Sequence, residues 1–334
     1  MVNKLKTRVT EKLGIPYPLF MGTMGYHSDA ELVAAATNAG AFTCLSSILS
    51  KSSKELRDEI RKTKSLTDRP FGVNINLFPM VSPVPNEEYI DVILEEGITV
   101  IETAGRSPEP YMKQIRQKNI ILIHKCARVR DARKAESLGA DLVEIVGFEC
   151  AGHPSREGIG SIVLIPQVVD AVKLPVIAGG GIGDARGFLA ALALGAEGVI
   201  MGTRFLATKE CPIHPNLKQR LIEATETDSM LTMYSKGDPM RALRNNMALK
   251  VYEMEQNGAT WEDIFALIGA GKGKTALAMG ESEDTILACG QVVGQIHDIP
   301  TMKEFIDRLM NNVMIIHQRI SSMFDNRNYS DSHN

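Results

Sequence analysis

Pro175-Val176-Ile177-Ala178-Gly179-Gly180-Gly181-Ile182-Gly183-Asp184, and soon after it Gly198-Val199-Ile200-Met201-Gly202-Thr203-Arg204-Phe205, decide the fold. Each begins as a short β-branched apolar run, breaks at glycine and passes into a helix-forming stretch. Runs that are apolar at every position suit strands covered on both faces, as in a parallel sheet flanked by helices.

Upstream the same unit recurs. Strands are predicted at Tyr17–Met21, Ala41–Leu45, Phe71–Leu77, Thr99–Thr103, Ile120–His124 and Leu142–Val146, with Pro175–Ala178 and Gly198–Met201 completing the series. Amphipathic helices are predicted between them at Asp29–Ala39, Ser53–Thr63, Asn86–Glu95, Glu109–Arg116 and Val129–Leu138. Successive strands start about 20 to 35 residues apart, the length that a strand-helix unit needs. Eight such units close into a barrel, whereas a doubly wound sheet stops at about six strands. The predicted fold class is α/β, a (β/α)8 TIM barrel with a second, smaller, mainly helical domain.

After Phe205 the rhythm changes. Asn216–Thr225, Met240–Gln256, Trp261–Leu267 and Ile286–Ile296 read as helices, and no strand-length alternation separates them. Residues 1–208 are therefore assigned to the barrel, and 209–301 to a helical substrate or lid domain over its open face. The helix at 302–323 carries Phe305, Leu309, Val313, Ile316 and Ile320 at helical spacing and is expected to return to the barrel. The polar tail 324–334 is expected to be disordered.

Composition narrows the function classes. The 334 residues are 44% hydrophobic and 23% charged, with a formal net charge of -3, so neither nucleic acid nor an anionic membrane is expected as a partner. Cys44, Cys126, Cys150, Cys211 and Cys289 lie far apart with no CxxC pair, which argues against a disulfide framework or a structural zinc. The first residues, MVNKLKTRVTEKLG, lack the apolar core of a signal peptide, and no apolar run reaches the length of about 18 residues that a membrane span needs. A cytoplasmic protein is expected, and a homodimer is compatible with this composition.

In a barrel of this kind the site lies where the strands end. The glycines Gly179, Gly180 and Gly181 after strand seven, and Gly202 and Thr203 after strand eight, let backbone N–H groups approach an anion. Strand eight ends in Gly202-Thr203 and lacks the acidic residue that would hold a dinucleotide's ribose, so a mononucleotide phosphate fits better. After strand six, Ala151 and Gly152 leave room for a flat ring, and His153 then projects toward it as a group able to exchange a proton near neutral pH. Strand five ends in His124-Lys125-Cys126, placing a cation where negative charge develops. Alternation puts Asn74 and Asn76 on one face of strand three, and Met21-Gly22-Thr23-Met24 closes strand one with another small-residue turn.

Together these residues resemble the nitronate monooxygenase family, formerly the 2-nitropropane dioxygenases. The likeness is strongest at PFGVN (Pro70–Asn74), HKC (His124–Cys126), GFECAGHP (Gly147–Pro154) and MGTRF (Met201–Phe205). It implies FMN held noncovalently on a TIM barrel. By the resemblance His153 is the catalytic base, and the FMN phosphate sits on Gly180, Gly181, Gly202 and Thr203 with Gly179 nearby. Gly22, Met24, Asn76, Lys125, Ala151 and Gly152 would then lie along the isoalloxazine, and no metal is implied. The family converts alkyl nitronates with O2 to carbonyl compounds and nitrite without NAD(P)H.

Two related groups share these features. One is a set of NADH:quinone reductases, whose proline-rich loop over the nicotinamide resembles Phe78-Pro79-Met80-Val81-Ser82-Pro83-Val84-Pro85. The other is the flavin enoyl-acyl-carrier-protein reductases. The expected partner is thus a small-molecule substrate, nitronate or quinone, with NAD(P)H in the second case. A flavin-binding barrel without turnover, or a phosphate-sugar isomerase on the same fold, are the remaining readings.

Overall fold

The computed structural model describes residues 5–78, 84–269 and 278–324. Its strands are β1 (Leu19–Met21), β2 (Cys44–Ser46), β3 (Gly72–Asn76), β4 (Val100–Ala104), β5 (Ile121–Cys126), β6 (Leu142–Val146), β7 (Val176–Gly179) and β8 (Gly198–Met201). They form one parallel sheet in the order β1-β8-β7-β6-β5-β4-β3-β2. A parallel bridge between Phe20 and Phe42 joins its two ends, so the sheet curls back on itself as an α/β barrel. All eight strands of the sequence reading are present, β6 and β8 with the expected ends and the other six with shifted ends. The first begins late because Pro16 and Pro18 have no N–H to give the ladder.

Alternation sorts the strand residues into two sets. Leu19, Met21, Val73, Ile75, Ile101, Leu122, Val143, Ile145 and Val199 belong to the large core beneath the helices. Phe20, Phe42, Cys44, Val100, Ile123, Leu142, Ile177 and Ile200 form a separate cluster that fills the barrel. Val9 and Leu13 of α1 (Arg8–Leu13) join that inner cluster and stopper its lower end. Space inside is tight: a Cβ on Gly72 would meet the Cys44 sulfur at 2.7 Å.

The outer layer follows the chain as α2 (Ala30–Ala39), α3 (Ser53–Leu66), α4 (Asn86–Glu95), α5 (Met112–Ile115), α6 (Val129–Ser137), α7 (Ser161–Val169) and α8 (Ala185–Ala193). Asp29 caps α2 by accepting from the Leu32 N–H, and Gly40 ends it in the left-handed region. Where one helix was expected over Glu109–Arg116, a 3-10 turn at Glu109–Tyr111 precedes the short α5, because Pro110 cannot continue a helical ladder.

Beyond β8 the chain runs through α9 (Thr203–Leu206) and α10 (Pro215–Ile222) into an antiparallel hairpin, β9 (Ser229–Thr232) and β10 (Met240–Leu243). This corrects the reading of 209–301 as free of strands. The helix expected from Met240 is α11 (Asn246–Gln256), because Asn245 caps it by accepting from the Ala248 N–H. α12 (Trp261–Ile268) follows as expected. The helix expected at Ile286–Ile296 is only a 3-10 turn at Gln291–Gln295. Gly294 there packs so closely that a Cβ would come within 2.5 Å of the Glu226 nitrogen. Residues 79–83 of the proline-rich segment and the tail from 325 onward lie outside the described residues.

The C-terminal helix, Met302–Ser321, starts at a capping box between Thr301 and Glu304 and packs against α8 and α2. Those two helices flank the place that the helix after β8 would take, so the C-terminal helix fills the last slot of the outer ring. Phe305 anchors it, edge-on to Phe205 at 5.3 Å and beneath the Arg204 guanidinium at 5.0 Å. Phe305→Ala should cost about 3–5 kcal/mol in chemical denaturation. A loss under about 1 kcal/mol would show that the barrel does not depend on this helix.

Candidate active site

At the C-terminal ends of the strands lies a cavity of about 2910 Å³. Gly22 and Met24, Asn76, Lys125, Ala151, Gly152 and His153, Gly179, Gly180 and Gly181, and Gly202 and Thr203 all line it. Residues chosen at the ends of six different strands thus share one chamber.

One end suits an anion. Gly180 and Gly181 have φ of 97° and 70°, a region that L side chains rarely enter. Gly202 faces open space, with nothing within 4 Å of a would-be Cβ. The Thr203 hydroxyl accepts from the Gly290 N–H at 2.9 Å, which leaves its own hydrogen for another acceptor. Two neighbours were not legible beforehand. Glu149 lies against Gly181, its carboxylate accepting from the Ser161 N–H at 2.9 Å and the Ser161 hydroxyl at 3.0 Å.

At the barrel axis the inward residues turn polar. Lys125 Nζ stands 2.9 Å from Glu144 Oε1 and 3.4 Å from Glu102 Oε1. Glu102 also accepts from Asn74 Nδ2 at 2.6 Å. Burial alone would lower the Lys125 pKa, but the two carboxylates outweigh it and hold the ammonium well above its ordinary value. Asn76 Oδ1 accepts from the Phe78 N–H at 2.9 Å, fixing the exit of β3.

The His153 loop is tied to the chain's second part. Gly152 N–H donates to the Arg241 carbonyl at 3.1 Å and the Arg241 N–H to the Gly152 carbonyl at 2.7 Å, a two-bond bridge from β10 to the loop. The buried Arg241 guanidinium donates to the Phe148 carbonyl at 3.3 Å and lies 5.0 Å over the Phe148 ring. Desolvation pulls it below its ordinary pKa. Sequence reasoning missed Arg241 because it read Met240–Leu243 as helix.

His153 itself is 42% exposed, with Nε2 3.8 Å from Asp238 Oδ1 and its ring 5.4 Å from Phe78. At that distance Asp238 attracts the ring without clamping it. His124, by contrast, is held by the Thr103 hydroxyl at 2.8 Å, and burial lowers its pKa to about 4. Among the described residues no His, Cys, Asp or Glu group could hold a metal ion. No described helix is long and apolar enough to cross a membrane.

The profile described as nitronate monooxygenase matches residues 6–312. The chain belongs to the nitronate monooxygenase family. A Rhodococcus jostii (strain RHA1) protein named "(3aS,4S,5R,7aS)-5-hydroxy-7a-methyl-1-oxo-octahydro-1H-indene-4-carboxyl-CoA dehydrogenase" is 32% identical, over 92% of this chain and 96% of that one. A Staphylococcus haemolyticus (strain JCSC1435) protein named "Probable nitronate monooxygenase" is 31% identical over the same shares, 92% and 96%. Among solved structures, FabK from Thermotoga maritima superposes with a TM-score of 0.89 at 32% identity, covering 96% of this chain and 100% of that one. As a member of the nitronate monooxygenase family, the protein is a flavin-dependent oxidoreductase.

The cavity fits such a group: glycines at one end leave backbone open to an anion, and the Lys125 ammonium stands deeper in. The glycines are not equivalent. Gly180→Ala would set a Cβ 2.8 Å from the Gly147 nitrogen at positive φ and should cost about 1–3 kcal/mol. Gly202→Ala, at φ -103° in open space, should leave stability within about 0.5 kcal/mol yet lower the flavin retained on purification. Full flavin content in Gly202→Ala would remove that loop from the phosphate seat.

Proposed function

We propose that the chain binds flavin mononucleotide and passes electrons from a reduced nicotinamide nucleotide to a quinone. The observation that carries this reading is the size and openness of the chamber. At about 2910 Å³ it exceeds several-fold the roughly 300–1,000 Å³ of a pocket for one drug-sized ligand. A small nitronate leaves most of that space empty, whereas a flavin and a second planar molecule use it.

Gly180, Gly181, Gly202 and the Thr203 hydroxyl hold one phosphate, and no acidic residue ends β8 to bind a second ribose. That favours the mononucleotide over the adenine dinucleotide. Ala151 and Gly152 leave the ring's face clear, and Lys125 sets its positive charge beneath the cavity. Bound there, the flavin supplies two-electron exchange with each substrate in turn.

His153 moves the proton. A quinone oxygen gains a proton when it is reduced, and a half-exposed imidazole on the chamber wall donates it from Nε2 and recovers it from solvent. Phe78, close to the His153 ring, forms an apolar wall beside the incoming ring. Nitronate oxidation is the second reading, favoured by the relatives of that name. In it His153 positions the nitronate.

Anaerobic mixing separates the two. NADH or NADPH is expected to bleach the visible flavin absorbance of the wild type, and benzoquinone to restore it. His153→Ala should slow the quinone step about 10²- to 10⁴-fold while keeping its flavin. Bleaching by propyl-2-nitronate, with neither nicotinamide effective, would overturn the reductase reading in favour of nitronate oxidation.

A further inference from the structure

Three charged side chains meet on the inner face of the barrel, just above its apolar filling. Glu102 comes from β4, Lys125 from β5 and Glu144 from β6, and the last two are direct ladder partners. Two carboxylates share one ammonium. If all three are ionised the cluster keeps one uncompensated negative charge, which is costly in a low-dielectric interior.

The carboxylates differ in their support. Glu102 accepts from Asn74 Nδ2 at 2.6 Å, from the Thr23 hydroxyl at 3.4 Å and from Lys125 at 3.4 Å, so its ionised form is well served. Glu144 is fully buried, and neither of its oxygens takes part in an aligned hydrogen bond among the described residues. Its contact with Lys125 is close enough for charge but not directed as a hydrogen bond. Glu144 also borders the cavity, with its oxygens shielded from direct solvent contact.

Among the described residues no other neighbour takes this role. Burial pushes the Cys44 thiol of β2 and the Cys126 thiol of β5 upward, which keeps both neutral. β7 sets Ile177 beside Glu144, and β8 and β1 bring Ile200 and Phe20 inward. His124 belongs to Thr103.

We infer that Glu144 is a redox-linked proton site: its carboxylate takes a proton from solvent when electrons enter the cavity and releases it when they leave. Burial supports this by lifting the Glu144 carboxyl to about 7, against the opposing pull of Lys125, and Glu102 adds to the rise. The inference rests on the reading that the flavin ring lies over Lys125.

The balance is simple. An external two-electron donor, the reduced nicotinamide or dithionite in the test, reduces the flavin. One O–H bond forms at Glu144 with a proton from water. Reoxidation by the acceptor breaks that bond and returns the proton. Lys125 stays charged throughout, so added negative charge is met first by the ammonium and then by neutralisation of Glu144.

The reduction potential of the flavin-loaded protein, measured against pH by equilibration with a reference dye, tests this. The wild type should show an interval that begins near neutral pH and extends above it, in which the slope is steeper by about 30 mV per pH unit, one extra proton on a two-electron couple. Glu144→Gln, which keeps the shape, should lose that interval, and Glu144→Asp, which keeps a displaced carboxyl, should shift it along the pH axis. In flavin-free protein, a carboxyl infrared band absent from Glu144→Gln should titrate near neutral pH.

Equal slopes in wild type and Glu144→Gln, or no titrating band, would overturn the inference. Lys125→Met separates the underlying reading: a potential unchanged by that substitution places the flavin elsewhere and sinks both. A changed potential with equal Glu144 slopes sinks the proton site alone.

Discussion

A sheet that curls back on itself turns every second side chain of every strand into the same small space. The lower part of that space is filled by Phe20, Phe42, Ile123, Leu142 and Ile177, which pack without polar atoms. One step higher the same alternation brings Asn74, Glu102, Lys125 and Glu144 inward, because period-two geometry leaves them no other direction. The apolar plug fixes where the strands end, and the ends fix the chamber. Its polar floor is therefore a consequence of closure as much as of chemistry.

The rest of the molecule completes what eight strands alone leave open. The segment between β8 and the C-terminal helix adds walls from Met233, Met240, Trp261 and Phe265. The helix then returns to seat itself between α8 and α2. The two parts of the chain meet at the His153 loop, where β10 pairs with Gly152. The buried Arg241 serves the same junction from its side chain. A guanidinium that makes no salt bridge among the described residues is tolerated there because a carbonyl and an aromatic face receive it.

Much of this was legible in the sequence. Strands such as Val176–Gly179 and Gly198–Met201 are apolar at every position because helices cover one face and the plug the other, and that signal survives in a single chain. Glycines followed by helix-forming residues marked the strand ends, and so His153, Lys125, Gly180 and Thr203 could be named as neighbours of one chamber. What escaped detection depends on distant partners. Glu102 could be placed near the strand ends but not ranked, Glu144 gave no signal inside its apolar run, and only the register of β4, β5 and β6 makes them neighbours of Lys125. The hairpin strands are four residues each, too short for alternation to stand out from helical spacing. Glu149 and Ser161 meet only because the loop after β6 folds back on the start of α7.

The bridge between Gly152 and Arg241 is made of backbone atoms, and backbone pairing is indifferent to most side chains on the strand that provides it. Met240, the half-buried residue of β10 that lines the chamber, can therefore be exchanged without moving the loop that carries His153, whereas Ala242 and Leu243 are buried. The chamber's outer wall is in this sense a replaceable part bolted to a fixed backbone geometry. Drift in the hairpin and in α12 would redraw which molecule fits, while the imidazole keeps its station over the same ring of strand ends.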